Sequence, residues 1–390
     1  MTDVHAPQSP TPSGTDPSGA HRPGTATSST AAPGTTGAGA VPSGAGSPGR
    51  DGTAHRTPTS PPRAWVTATG LVLVLTAAIA TIFVAFSLPA VTSAPHDVPV
   101  GLAGPAPAVE GVQQALAAAQ PGAFRTTTYR DADALREAVL DRAVDGGFAL
   151  SPDGATVLVA SGAGPVVAQL LTGVSGQLAA QSGMPVTTQD VVPLPEGDPR
   201  GAGLAAAALP ITLGAMLPAI ALVRALPRRS WLRVAAASAY SLTAGTALAV
   251  VLDAWYGSTS GAFWPVALGL SLGIAAISLT LLGLEQLAGT PGLAVGAALV
   301  MLVGNPLSGM TSAPELLTPP WGAVGQLLPP GASGTLLRST AYFDGAGAVG
   351  PVTVLAAWIT FGLLLTAVAS AVRRRPGTGG LAAGGGPTAG

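Results

Sequence analysis

WPVALGLSLGIAAISLTLLGL, Trp264 to Leu284, is an uncharged run of 21 residues. As a helix it would extend roughly 32 Å, about the thickness of a bilayer's hydrocarbon core. The block from Gly203 to Val372 repeats runs of this kind: Leu204 to Val223 and Val234 to Leu252 before it, Pro351 to Val372 after it. Short polar punctuation separates them. The pattern predicts a polytopic α-helical membrane protein, with the rest of the chain attached to that block.

Composition agrees. Of 390 residues only 9% are charged and 48% are hydrophobic, and the mean hydropathy is +0.49, far from a soluble average. The formal net charge is −1, so the global balance offers nothing to a polyanion and no nucleic-acid partner is expected. Without cysteine there is no disulfide framework, thiolate metal site or cysteine nucleophile. All 17 basic residues are arginine. A phosphate-binding loop needs a lysine, so ATP hydrolysis would have to come from another subunit.

Outward from the helical block, residues 1–63 are rich in Pro, Gly, Ser, Thr and Ala and read as a disordered cytoplasmic tail, too polar to offset its own ordering entropy. AWVTATGLVLVLTAAIATIFVAF, Ala64 to Phe86, is the first transmembrane helix. It is too long, and lies too far behind the tail, to be a signal peptide. Arg50, Arg56 and Arg63 precede it and put the tail inside. Residues 90–203 then lose the membrane signature. Strand-like DVPVGLAG, a helix over Val109 to Gln120, the Thr-alternating Phe124 to Tyr129, a helix capped by Asp131, a hairpin about SPDG, a further helix and an extended PVTTQDVVPL predict an extracytoplasmic α/β domain.

Residues 204–372 form the rest of the transmembrane domain. Arg224, Arg228, Arg229 and Arg233 place the loop between the second and third spans in the cytoplasm, and Arg373 to Arg375 do the same for the tail 373–390. Gly292 to Met310 is harder to assign, because its clean apolar run stops at Val303 and meets Asn305 and Pro306. By length it could be re-entrant; by parity it is a fifth span, kinked or unwound at Asn305-Pro306, giving six. The Pro- and Gly-rich stretch that follows predicts short helices on the outer surface, with Trp321, Tyr342 and Phe343 at headgroup level.

Candidate chemistry is sparse. The four histidines lie outside the spans, so neither a metal constellation nor a serine triad has a base. G-x-G-x-x-G at Gly345 to Gly350 runs into Pro351 rather than joining a strand to a helix, which argues against a dinucleotide site. No enzyme is expected, and no cofactor in this chain. Gly269 with Gly273 and Gly292 with Gly296 have the spacing of close helix packing, a spacing that an Ala/Gly-rich chain also produces by chance. Hydroxyls in the third and fourth spans, Ser241, Ser271, Ser278 and Thr280 among them, either line a path or bond back to helix carbonyls.

One span, an α/β ectodomain and five more spans resemble the type-2 ABC exporter permeases, especially the branch with phage-infection-protein-like membrane proteins. DADALREAVLDRAVDGGFALSPDG, GNPLSGMTSAPELLTPPWGAVGQLLPPG and RSTAYFDG are similar to that family's ectodomain unit, external loop and loop exit. The resemblance implies a multi-pass plasma-membrane permease with both termini cytoplasmic, working as a homodimer or heterodimer. It would export a lipid, drug or peptide, with ATP on a separate ATPase subunit that docks at Arg224, Arg228, Arg229, Trp231 and Arg233. A different reading is a non-transporting envelope protein whose ectodomain, residues 95–200, folds alone and binds a ligand or partner.

Overall fold

The computed structural model describes residues 62–374. The calls on the tails, residues 1–61 and 375–390, lie outside them. The described chain contains five helical segments long and apolar enough to cross a membrane, and a five-stranded sheet domain between the first and second.

The first of these, α1 (Pro62–Val91), delivers the chain to the sheet domain. There β1 (Val98–Ala103), α2 (Ala106–Ala119), β2 (Phe124–Tyr129), α3 (Ala132–Leu140), β3 (Gly146–Ser151), β4 (Gly154–Val159), α4 (Pro165–Ser182) and β5 (Val186–Asp190) follow. The sheet order is β2-β1-β3-β4-β5; the β3–β4 hairpin is antiparallel and the other neighbours are parallel. Burial explains the order. VPVGLA of β1 is apolar and buried throughout but for Pro99, as a central parallel strand must be, whereas the Thr-rich β2 and β5 are the edges. α3 starts where Asp131 caps it, its Oδ1 accepting from the Ala134 N–H at 2.7 Å.

Helices cover both faces. Val109, Val112 and Leu116 of α2 and Val167 and Leu171 of α4 pack with Val98, Val100, Leu102 and Phe148. Leu135 and Val139 of α3 pack with Ala103 and Leu158 on the other face. Each core also contains residues from far downstream: Ala313 and Leu316 in the first, Phe343 in the second.

After the sheet domain come α5 (Ala202–Ala206) and α6 (Ala208–Ala225), which form one span, and α7 (Ser230–Val250), prolonged by π-turns to Trp255. Asp198 secures this entry, accepting from the N–H groups of Ala202 and Gly203 and from Ser258 Oγ, each at 2.8 Å. α8 (Phe263–Leu299) and its π-turns Val300–Gly304 follow, then α9 (Trp321–Gln326), α10 (Pro329–Tyr342) and α11 (Val349–Arg374).

α8 is folded back on itself. Gly289 has φ 68°, ψ −155°, which is not helical, and a Cβ on Gly296 would lie 2.7 Å from Leu284 and 2.8 Å from Leu281. In a straight helix residues 12 to 15 apart are roughly 18–22 Å apart. The first arm, to Ala288, is long enough to cross a bilayer. The second, from Thr290 to Gly304, extends only about 22 Å and stops short.

The chain resumes at α10, whose Pro330 abuts Gly304. α10 then runs antiparallel to the first arm of α8, Ser333 beside Gly273 and Leu337 beside Gly269. Between these two half-length helices, residues 305–328 travel to the sheet domain and back. There the carbonyls of Leu316 and Glu315 accept from Ala94 N–H at 3.1 Å and His96 N–H at 2.8 Å. This corrects the expectation of surface helices, because eleven of the residues of α10 are buried. Tyr342 and Phe343 enter the sheet domain's core instead of sitting at headgroup level, and only Trp321 of the three is exposed.

Candidate functional site

The short second arm of α8 leaves a gap. α1 stands apart from the other helices, its apolar face exposed along its length, and it approaches the bundle at residues 300–308. Between its end nearest the sheet and the end of the second arm of α8 lies an apolar cleft of about 390 Å³, lined by Leu88, Pro89, Val303, Pro306, Leu307 and Trp321. Asn305 and Pro306 end the second arm here, and Pro306 opens a 3₁₀ turn. A second, larger groove of about 520 Å³ lies between α7, α8, α10 and α11, with Ser238, Ser241, Ser271 and Thr340 among apolar neighbours.

The hydroxyls do not divide neatly between lining a path and bonding back to their own helix. Ser241 and Ser271 donate back to Ala237 and Ala267 of their own helices. Ser278 and Thr280 donate across helices, to Ala215 O at 3.0 Å and Trp358 O at 3.1 Å. Among the glycines, Gly269 and Gly273 face α10, whereas Gly292 and Gly296 close the α8 hairpin. Sequence reasoning missed a backbone-to-backbone approach, Gly283 against Gly362 between α8 and α11. The only signal was a glycine in each apolar run, which carries no pairing information.

At the other end of the helices, Arg224, Arg228, Arg229 and Trp231 are exposed around the short α6–α7 turn. Arg233 is not available there. It is buried, pairs with Glu285 at 2.6 Å, and donates to the carbonyls of Leu226 and Val223 that end α6. An arginine whose guanidinium is engaged inside the bundle cannot contact a partner, so of the five residues only the other four are exposed.

The sheet domain and the bundle are joined by a charged cluster. Arg142, left-handed at φ 59° just after α3, donates to Ser339 Oγ of α10 at 2.7 Å and stacks on the Phe343 ring at 5.1 Å. Arg338 of α10 donates to the carbonyls of Gly309 and Met310 at 3.0 and 2.8 Å. Asp145 lies among Arg142, Arg338, Arg125 and Glu315, and one of its buried oxygens has no hydrogen-bond partner among the described residues.

Burial, reinforced by the Glu315 carboxylate, pushes the Asp145 carboxyl up to about 7. The folded chain therefore keeps a proton that the unfolded chain releases near the ordinary value of 3.8. The stability this proton provides is complete below that ordinary value and is lost as pH rises through about 7. We expect the purified chain to melt several degrees lower at pH 8 than at pH 5, and Asp145→Asn, which keeps the shape without the charge, to remove most of that difference. An unchanged difference in the variant would assign the pH dependence to other groups.

Fold and site together define a multi-span membrane protein in which residues of the helical bundle's connecting segments complete the cores of an α/β domain, with an apolar cleft beside the first helix. No protein-family model matches the chain, and no curated protein or solved structure matches it.

Proposed function

We propose that this chain is the membrane subunit of an exporter that moves an amphiphilic molecule out of the cell membrane, powered in trans by a separate ATPase. The observation that carries this reading is the cleft between α1 and the broken α8. It is apolar, it lies beside the sheet-proximal end of an unpacked helix, and it is roofed by the chain that runs to the sheet domain. An amphiphile could enter it from the bilayer with its polar end toward the sheet domain.

In this reading the chain crosses the membrane six times, the two arms of α8 counting separately, with α10 completing the short fifth crossing from the outer side. The arginine-bearing α6–α7 turn and the end of α11 are cytoplasmic and the sheet domain is outside. The unpacked face of α1 suits a dimer of permeases, and Arg224, Arg228, Arg229 and Trp231 form the surface offered to the ATPase. A free-standing ligand receptor fits less well. Ala313, Leu316 and Phe343 complete the sheet domain's cores from outside residues 95–200, so an isolated segment would leave both open.

The test is purification of the tagged chain from its native membrane in mild detergent, with mass spectrometry of what accompanies it. A stoichiometric subunit carrying a phosphate-binding loop is expected. Arg228→Glu with Arg229→Glu should detach that subunit and abolish export while leaving the chain in the membrane. Repeated recovery of the chain without such a subunit would overturn the proposal.

A further inference from the structure

A second pocket, of about 320 Å³, lies next to the cleft, and its lining is of a different kind: His96, Asp97, Glu315 and Gln326 among prolines and small residues. Leu317 lines both cavities, and the same two chain segments wall them. On one side the chain runs from Leu88 and Thr92 of the cleft to His96 and Asp97 of the pocket. On the other it runs from Glu315 past Leu317 to Trp321. The two cavities form a polar compartment continuous with an apolar one, at the level where α1 ends.

The polar compartment has one sign of charge. Asp97 and Glu315 are its formal charges, and no arginine lines it. The main chain at both positions is fixed: Asp97 is left-handed at φ 50° with its N–H donating to Gly122 O at 3.0 Å, and the Glu315 carbonyl accepts from His96 N–H. Gln326 is committed elsewhere, donating to Ser308 O and accepting from Thr335 Oγ1 at 2.6 Å. His96 Nδ1 lies 2.6 Å from the Ala94 carbonyl. It must donate there, which leaves Nε2 of the neutral ring as an acceptor.

Arg142 and Arg338 lie behind Glu315, outside the pocket's lining; their guanidiniums donate to Ser339 Oγ and to main-chain carbonyls and keep their positive charge, which offsets part of the Glu315 charge and leaves the Asp97 charge to the pocket. Neither ion pair formed among the described residues includes Asp97 or Glu315. The pocket thus presents two carboxylates and an imidazole acceptor above an apolar slot with room for a single chain.

Building on the exporter reading, we infer that the composite site takes a single-chain cationic amphiphile from the adjacent leaflet, its amine or quaternary ammonium head between Asp97 and Glu315 and its alkyl tail in the cleft. An anionic head of the same size would meet the like charge of Asp97 and the part of the Glu315 charge that Arg142 and Arg338 do not offset, and a zwitterionic one would place a phosphate beside the same carboxylates.

The test uses the full chain in nanodiscs of zwitterionic lipid and two radiolabelled probes with the same tail, hexadecyltrimethylammonium and hexadecyl sulfate. The cation is expected to bind saturably and at least about tenfold tighter than the sulfate. Asp97→Asn with Glu315→Gln should weaken cation binding about tenfold without weakening the sulfate. Asp153→Asn, an exposed carboxylate in the β3–β4 turn, should leave both unchanged. Equal binding of the two probes, or a double variant that binds the cation like the parent, would overturn the inference.

Accumulation of each probe in native cells, with and without the chain, separates this inference from the one beneath it. Chain-dependent extrusion of the sulfate but not the cation would retain export and discard the cation class. Tight, carboxylate-dependent cation binding with accumulation indifferent to the chain would retain the site and discard export.

Discussion

Gly362→Leu is expected to abolish recovery of folded protein. At this position α8 and α11 touch backbone to backbone: a Cβ on Gly362 would lie 2.7 Å from Thr280 N, and one on Gly283 would lie 2.6 Å from Gly362 O. Main chain cannot rotate aside as a side chain can, so the helices would have to separate. Separation would also stretch the bonds flanking the contact: Thr280 to Trp358 O at 3.1 Å, Gln286 to Thr366 at 3.2 Å, and Arg373 to Gln286 O at 2.7 Å. Between helices in lipid, close packing and such bonds supply most of the association energy, and overpacking costs on the order of 1–3 kcal/mol before the flanking bonds are counted. Gel filtration of detergent-solubilised variants checks this, with Gly350→Leu at an open position of α11 as control. A Gly362→Leu protein that elutes and melts like the parent would refute the backbone contact.

The second large effect is expected at the buried ion pair. Arg233 and Glu285 are 7% and 15% exposed, so Glu285→Ala leaves a cation inside the bundle with only the Leu226 and Val223 carbonyls as partners. The expected loss is about 3–5 kcal/mol of stability. Arg233→Met combined with Glu285→Leu should recover most of it, because an apolar pair of similar volume has no charge to desolvate. Thermal unfolding of the three proteins decides the matter. If the double variant is as unstable as Glu285→Ala, the cost comes from lost packing rather than an orphaned charge.

Much of the architecture can be read from the chain because short-range signals specify it. The apolar runs had the length of membrane-crossing helices, Asp131 announced the start of α3, and SPDG announced the β3–β4 hairpin. The Thr-alternating Phe124 to Tyr129 marked a strand. What could not be read depends on long-range pairing. Nothing local to PPGASGTLLRSTAY tells that it is buried in the bundle, since its Ser, Gly and Thr content reads as polar until Gly269 and Gly273 are placed against it. Arg233 looked like its neighbours Arg228 and Arg229 because its partner, Glu285, is 52 residues away. The acidic pocket joins Asp97 and Glu315, which lie on either side of most of the chain, so no sequence window contains both.

The sharing of cores between the sheet domain and residues 313–343 has a consequence for biogenesis. The ribosome makes β1 to β5 before α6, α7, α8 and the segment carrying Ala313, Leu316 and Phe343. In the proposed topology the sheet domain crosses the membrane with both hydrophobic faces incomplete, and it waits in that condition while the helices between it and Ala313 are threaded. Its final closure reports that the bundle beneath it has been assembled in the right order. A nascent chain stalled before Ala313 displays the unfinished faces, and the cell's proteases and chaperones can recognise it by them.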